Sequence, residues 1–134
     1  MTPSEIFDSM RARWLADLST WEADTLADDV VIETPFAVPG RPTRIEGRQS
    51  VLEYTQAGRA AFPVRFHDCR NVVVHETGDP DVIVVEYELV GTHTATGVTA
   101  SAPFIGVLRT SHGKLAQWRE YQHTLAIAEA VGQA

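Results

Sequence analysis

From Ser4 to Leu18 the apolar residues Ile6, Phe7, Met10, Trp14, Leu15 and Leu18 recur three or four positions apart. That spacing puts them on one face of a helix, and Pro3 suits its first turn. Thr20 followed by Trp21, Glu22 and Ala23 predicts a second, short helix ending near Leu26, with Thr20 as its cap and Asp28-Asp29 breaking the pattern. Val30 to Thr34 reads as a short strand running into Pro35. The stretch 35–47, rich in proline and glycine, reads as a loop at the mouth of a cavity. Arg48 to Phe62 predicts a third helix, stopped by Pro63.

The second half changes period. Arg65 to Glu76, Asp81 to Thr96, Val98 to Thr110 and Lys114 to His123 are dense in β-branched and aromatic residues, with turn residues between them. Short connections favour an antiparallel meander. Strands this long are expected to bend, through bulges at Gly91 or Gly106, and a bent sheet covered by helices forms a cone. Thr124 to Val131 predicts a closing helix, with Gly132 as its stop. The fold class is therefore α+β, a strongly curved antiparallel sheet covered by three N-terminal helices, in one domain spanning 1–134.

Composition narrows the partners. The 134 residues are 44% hydrophobic and 22% charged, enough to bury one core without a partner. A net charge of −7 opposes binding to a phosphate backbone, and no basic amphipathic segment suits anionic lipid. Nucleic acid and membrane are thus not expected partners. The start shows no charged-then-apolar leader, and the single Cys69 forms no internal disulfide, so a cytoplasmic location is expected. No Cys/His/Asp/Glu set has metal spacing, and no Gly-rich phosphate loop follows a strand, so neither metal nor cofactor is expected.

Several motifs carry a family resemblance. The segment 71–81 (NVVVHETGDPD) and the segment 118–123 (WREYQH) resemble a strand-turn-strand and the final strand of the phenazine-biosynthesis A/B proteins. Gly91-Thr92-His93-Thr94 with Gly97 resembles a strand end of SnoaL-like proteins. Leu26 to Val31 followed by Gly47-Arg48 is similar to the first half of the nuclear-transport-factor-2-like superfamily, which has a cystatin-like α+β roll. The resemblance implies a small-molecule pocket and a homodimer through the outer sheet face, where Arg119, Tyr121, Val90 and Val107 would lie. It does not fix a reaction, since one fold hosts many.

Within this resemblance, the positions used by the steroid-isomerase branch fall on Trp14, Gly106 and Thr34, which cannot supply that branch's carboxyl chemistry. Glu120 instead matches the acid/base glutamate of the phenazine A/B proteins. Strand alternation puts Trp118, Glu120 and Gln122 on one face of the last strand and Arg119, Tyr121 and His123 on the other. An inward Glu120 beside an indole would be desolvated and its pKa raised. The competing expectation is an outward glutamate paired with an arginine. By the same parity Val85, Tyr87, Leu89, Gly91 and His93 face inward, which makes His93 either a second proton-transfer candidate or a rim histidine bonded to backbone.

The expected pocket wall is Trp14, Thr34, Phe36, Tyr54, Phe62, Tyr87, Leu89, Phe104, Gly106, Trp118 and Gln122. The expected ligand is a small apolar or polyketide-like molecule. Three functions fit: a cofactor-independent isomerase or cyclase, a non-catalytic binder with the same pocket, and a dimeric interaction module.

Overall fold

The computed structural model describes residues 1–130. Helix α1 spans Pro3–Leu15 and begins with a capping box: the Glu5 amide donates to Thr2 Oγ1, and the Thr2 amide donates to Glu5 Oε1. Pro3 occupies its first turn, as its missing N–H allows. The helix stops three residues before Leu18. Leu15 and Leu18 are exposed, so the buried stripe is Ile6, Phe7, Met10 and Trp14.

The second predicted helix is only a 3-10 turn at Ala23–Thr25. Thr20 does not cap it, because its hydroxyl accepts the indole N–H of Trp14 at 3.0 Å. Strand β1 then runs Leu26–Glu33, starting earlier than the sequence pattern indicated. Asp28 and Asp29 lie inside it with both side chains exposed, at an irregularity between Leu26 and Val31. Strand β2 at Arg44–Glu46, hidden within the predicted loop, pairs antiparallel with β1. Helix α2 spans Arg48–Ala61.

The remaining strands are β3 (Val64–Glu76), β4 (Val82–His93), β5 (Thr99–Ser111) and β6 (Lys114–Gln122), followed by helix α3 (Thr124–Ala130). Val131 and Gly132 of the predicted closing helix lie outside the described residues. The sheet order is β2-β1-β6-β5-β4-β3. β3 to β6 form the expected antiparallel meander, but β1 joins β6 in parallel, so the open, curved sheet is mixed. With α3 after the sheet, the covering helices are not all N-terminal.

One register shift lies across from Gly91 on the neighbouring strand β3, and none falls at Gly106. Pairing of β4 with β5 runs unbroken through Gly91 and Gly106. Shifts in the β3–β4 pairing fall between Phe66 and Asp68 and between Arg70 and Val73, the latter around Asn71 in the left-handed region, and the β5–β6 pairing shifts between Arg109 and Thr110. Both glycines serve close packing. A Cβ on Gly91 would lie 2.5 Å from Val64 Cγ1, so its absence lets β3 curl onto β4. A Cβ on Gly106 would lie 2.1 Å from Trp118 Cη2, so its absence seats that ring.

The core lies between the inner sheet face and α1, with Val51 the buried side chain of α2. Cys69 is a fully buried small hydrophobe whose thiol is pushed up to about 11, chiefly by burial. Phe7, Trp14, Tyr87, Phe104 and Trp118 stack on one another at one end of this core, with Tyr87 and Phe104 parallel at 5.3 Å.

Candidate functional site

Beyond that aromatic cluster the sheet and helices do not close, and a cavity of about 590 Å³ remains. This volume is in the range that holds a small organic ligand. Its wall is drawn from the end of α1, the 34–43 loop, the C-terminal half of α2, the inner faces of β4, β5 and β6, and α3.

Glu120 lies in that wall. β6 presents it inward because Trp118, two residues earlier, is buried in the core, and strand alternation carries the same face forward. Its cross-strand neighbour is Gly106, which offers no side chain to cover it. Tyr87, buried on β4, donates its hydroxyl to Glu120 Oε2 at 2.5 Å, and Gln122 donates its amide to Oε1 at 2.8 Å. Burial raises the carboxyl above its ordinary range, and the hydrogen bonds from Tyr87 and Gln122 oppose that rise without cancelling it. The Tyr87 phenol is raised well above its usual value, by burial first and by the neighbouring Glu120 charge second. Glu120 keeps partial exposure, and its hydrogen-bond partners within the protein are these two donors.

Arginines across the sheet leave Glu120 alone. Arg119, on the opposite face of β6, donates to Glu33 at 3.1 Å, and Tyr121 packs edge-on against Phe36. His93 also reaches the cavity, but its Nδ1 accepts the amides of Ala95 and Thr96 at 3.3 Å each, closing the β4–β5 turn. One ring nitrogen is therefore committed to backbone.

Trp14, Thr34, Tyr54, Phe62, Leu89, Phe104, Trp118 and Gln122 line the cavity together with Glu120 and His93. Three other expected wall residues do not. Phe36 is 59% exposed on the far side, because the 34–43 loop turns it toward Tyr121. Tyr87 is packed beneath the wall and sends only its hydroxyl to Glu120. Gly106 is covered by the Trp118 ring. Trp14 contributes a ring but no free donor, its N–H being held by Thr20.

The sequence reading missed Trp21 and Arg59. Trp21 is buried in the wall, and its indole N–H has no partner among the described residues. Arg59 pairs with Asp17 at 3.4 Å, donates to the Val64 carbonyl at 2.6 Å and lies against the Phe62 and Phe66 rings. An arginine in the last turn of an apolar-faced helix could have signalled the latter, since its long stem suits a cavity rim.

No group of three or more His, Cys, Asp or Glu among the described residues could hold a metal ion. No helix there is long and apolar enough to cross a membrane.

The profile of the SnoaL-like domain matches residues 7–118. An uncharacterised PhzA/B-like protein of Pseudomonas aeruginosa is 33% identical over 124 residues, covering 92% of this chain and 85% of its own. Among solved structures, a provisionally assigned isomerase from Bacillus subtilis superposes with a TM-score of 0.87 at 23% identity, covering 98% of this chain and 94% of that one. A provisionally assigned polyketide cyclase from Xanthomonas campestris superposes at 0.75 with 17% identity, covering 96% of each chain. Those structural likenesses speak for the fold, while the profile and the sequence relative speak for descent, and the chain belongs to the SnoaL-like family.

Proposed function

We propose that the protein is a cofactor-independent isomerase or cyclase that moves a proton on an apolar, polyketide-like metabolite, with Glu120 as the acid/base group. One observation carries this reading: a desolvated carboxyl lies in the wall of an apolar cavity and is held in place by Tyr87 and Gln122. A carboxyl raised toward neutrality takes and returns a proton more readily than one in water. The relatives' provisional descriptions as isomerase and cyclase agree with it. His93, with one ring nitrogen occupied by the turn, assists at the rim by donating to a ligand oxygen from the other.

The reaction is tested with a model carbon acid. Deuterium incorporation next to the carbonyl of 1-tetralone is followed in deuterated buffer, and Glu120→Gln is expected to slow catalysed exchange by ~100-fold or more. An unchanged rate removes Glu120 from the chemistry.

Non-catalytic binding is the second reading. It is favoured by the hydrogen bonds already accepted by both Glu120 oxygens. Absence of catalysed exchange together with measurable ligand binding selects it. Under either reading we assign the outer sheet face, where Ile105 is 44% exposed beside Val107 and Tyr121, to a homodimer contact. A single cysteine, Cys69, which forms no disulfide, is consistent with the cytoplasmic location we propose.

A further inference from the structure

The ligand's charge can be read from what Glu120 lacks. Its two hydrogen bonds come from neutral donors, a phenol and an amide. Among the described residues no arginine, lysine or histidine forms an ion pair with it, and no nearby positive charge acts on its titration. Three basic side chains face the cavity, and none of them pairs with Glu120. Arg59 pairs with Asp17, His93 is bonded into its turn, and Arg41 sits on the exposed 34–43 loop. A desolvated carboxylate without a counter-charge is costly, and a neutral ligand would leave that cost in place.

The wall around it suits a cation. Trp14, Phe104 and Trp118 line the same cavity and pack on Tyr87, whose hydroxyl holds Glu120, and Trp21 adds a further ring to the wall. Aromatic rings attract organic cations through their electron-rich faces, and this attraction grows when water is excluded. The protein already uses this preference at the rim, where the Arg59 guanidinium lies 5.8 Å from the Phe62 ring centre and 5.7 Å from that of Phe66. Each carboxylate oxygen also has acceptor capacity left after one hydrogen bond, so a cation need not displace Tyr87 or Gln122. The net charge of −7 draws cations toward the molecule as a whole.

We propose that the cavity takes an organic cation, an alkylammonium group on an apolar body, with Glu120 as counter-charge and the Trp14, Phe104 and Trp118 rings as its cage. This inference rests on Glu120 being the polar centre of the cavity, but not on Glu120 transferring a proton.

The probes are choline and its neutral isostere 3,3-dimethyl-1-butanol, titrated separately into the protein and followed by the indole N–H resonances in NMR. Choline is expected to bind about 10-fold more tightly, equivalent to about 1.4 kcal/mol. In Glu120→Gln the ratio of the two affinities is expected to fall within about 2-fold. Equal affinities in the unmodified protein, or a preference retained in the variant, overturn the proposal. Should the variant fail to fold, the unmodified protein decides through pH. Choline affinity must fall as pH drops through the Glu120 titration while the alcohol's stays level, and a level choline affinity overturns the proposal. The 1-tetralone exchange assay separates the two readings. Exchange without choline preference sinks the cation site alone, and choline preference without exchange sinks proton transfer alone.

Discussion

Replacing Tyr87 by phenylalanine removes one oxygen and leaves the ring stack with Trp14, Phe104 and Trp118 in place. The lost contact is the 2.5 Å hydrogen bond to Glu120 Oε2, made by a buried phenol to a desolvated carboxyl. A hydrogen bond to a charged acceptor is worth roughly 1.5–3 kcal/mol, against roughly 0.5–1.5 for a neutral one. The ionised form of Glu120 therefore loses about 1–1.5 kcal/mol more than the protonated form, which raises its pKa further. The sign for stability follows. Glu120's folded pKa already lies above its ordinary value, so the folded protein favours the protonated carboxyl, and stability from this group declines as pH rises from the unfolded to the folded pKa. In Tyr87→Phe that decline extends to higher pH. The variant should lose about 1 kcal/mol at acid pH and about 2–3 kcal/mol once Glu120 is ionised. Carbon-13 NMR titration of the glutamate side-chain carboxyls, with Glu120→Gln to assign the signal, measures the shift, and urea melts across pH measure the stability. A Glu120 pKa that stays put or falls, or a stability loss independent of pH, refutes this account of how the carboxyl is held.

Two further predictions concern packing and association. Gly106→Ala forces the Trp118 ring away from a Cβ that would otherwise lie 2.1 Å from it, costing about 1–3 kcal/mol in a thermal or denaturant melt; a neutral result would mean the ring moves freely. Ile105→Arg on the outer face should turn a dimer into a monomer in sedimentation equilibrium without lowering the affinity for cavity ligands. A chain that is monomeric before the substitution removes the dimer.

Local pattern settled the type of the long elements, though not of the short segments around Ala23 and Arg44. The helical spacing of Ile6, Phe7, Met10 and Trp14 buries one side of α1, and the alternation along β6 makes Trp118, Glu120 and Gln122 a single inward face. Both depend only on the period of the backbone, and a one-residue error would have turned every such side chain over. Motif resemblance added the family and singled out Glu120 by its match to the phenazine A/B proteins. Boundaries were less legible: a tripeptide such as Arg44–Glu46 has no period to read, and β1 could continue through Asp28 and Asp29 because their exposed side chains cost the sheet nothing.

Tertiary structure decided everything that depends on partners distant in the chain. Tyr87 reaches Glu120 across an intervening strand, from 33 positions away, so its parity predicted an inward ring but not which oxygen its hydroxyl would meet. Trp14 faces the cavity as expected, yet its donor is taken by Thr20 through the turn that follows α1. Phe36 left the wall because its loop packs it against Tyr121, and Gly106 proved to be the seat of the Trp118 ring rather than a bend. The sequence specifies which side chains are apolar and which way a strand turns them. Only the closed arrangement of strands and helices specifies which polar atom meets which, because hydrogen bonds are short and directional while hydrophobic burial is not.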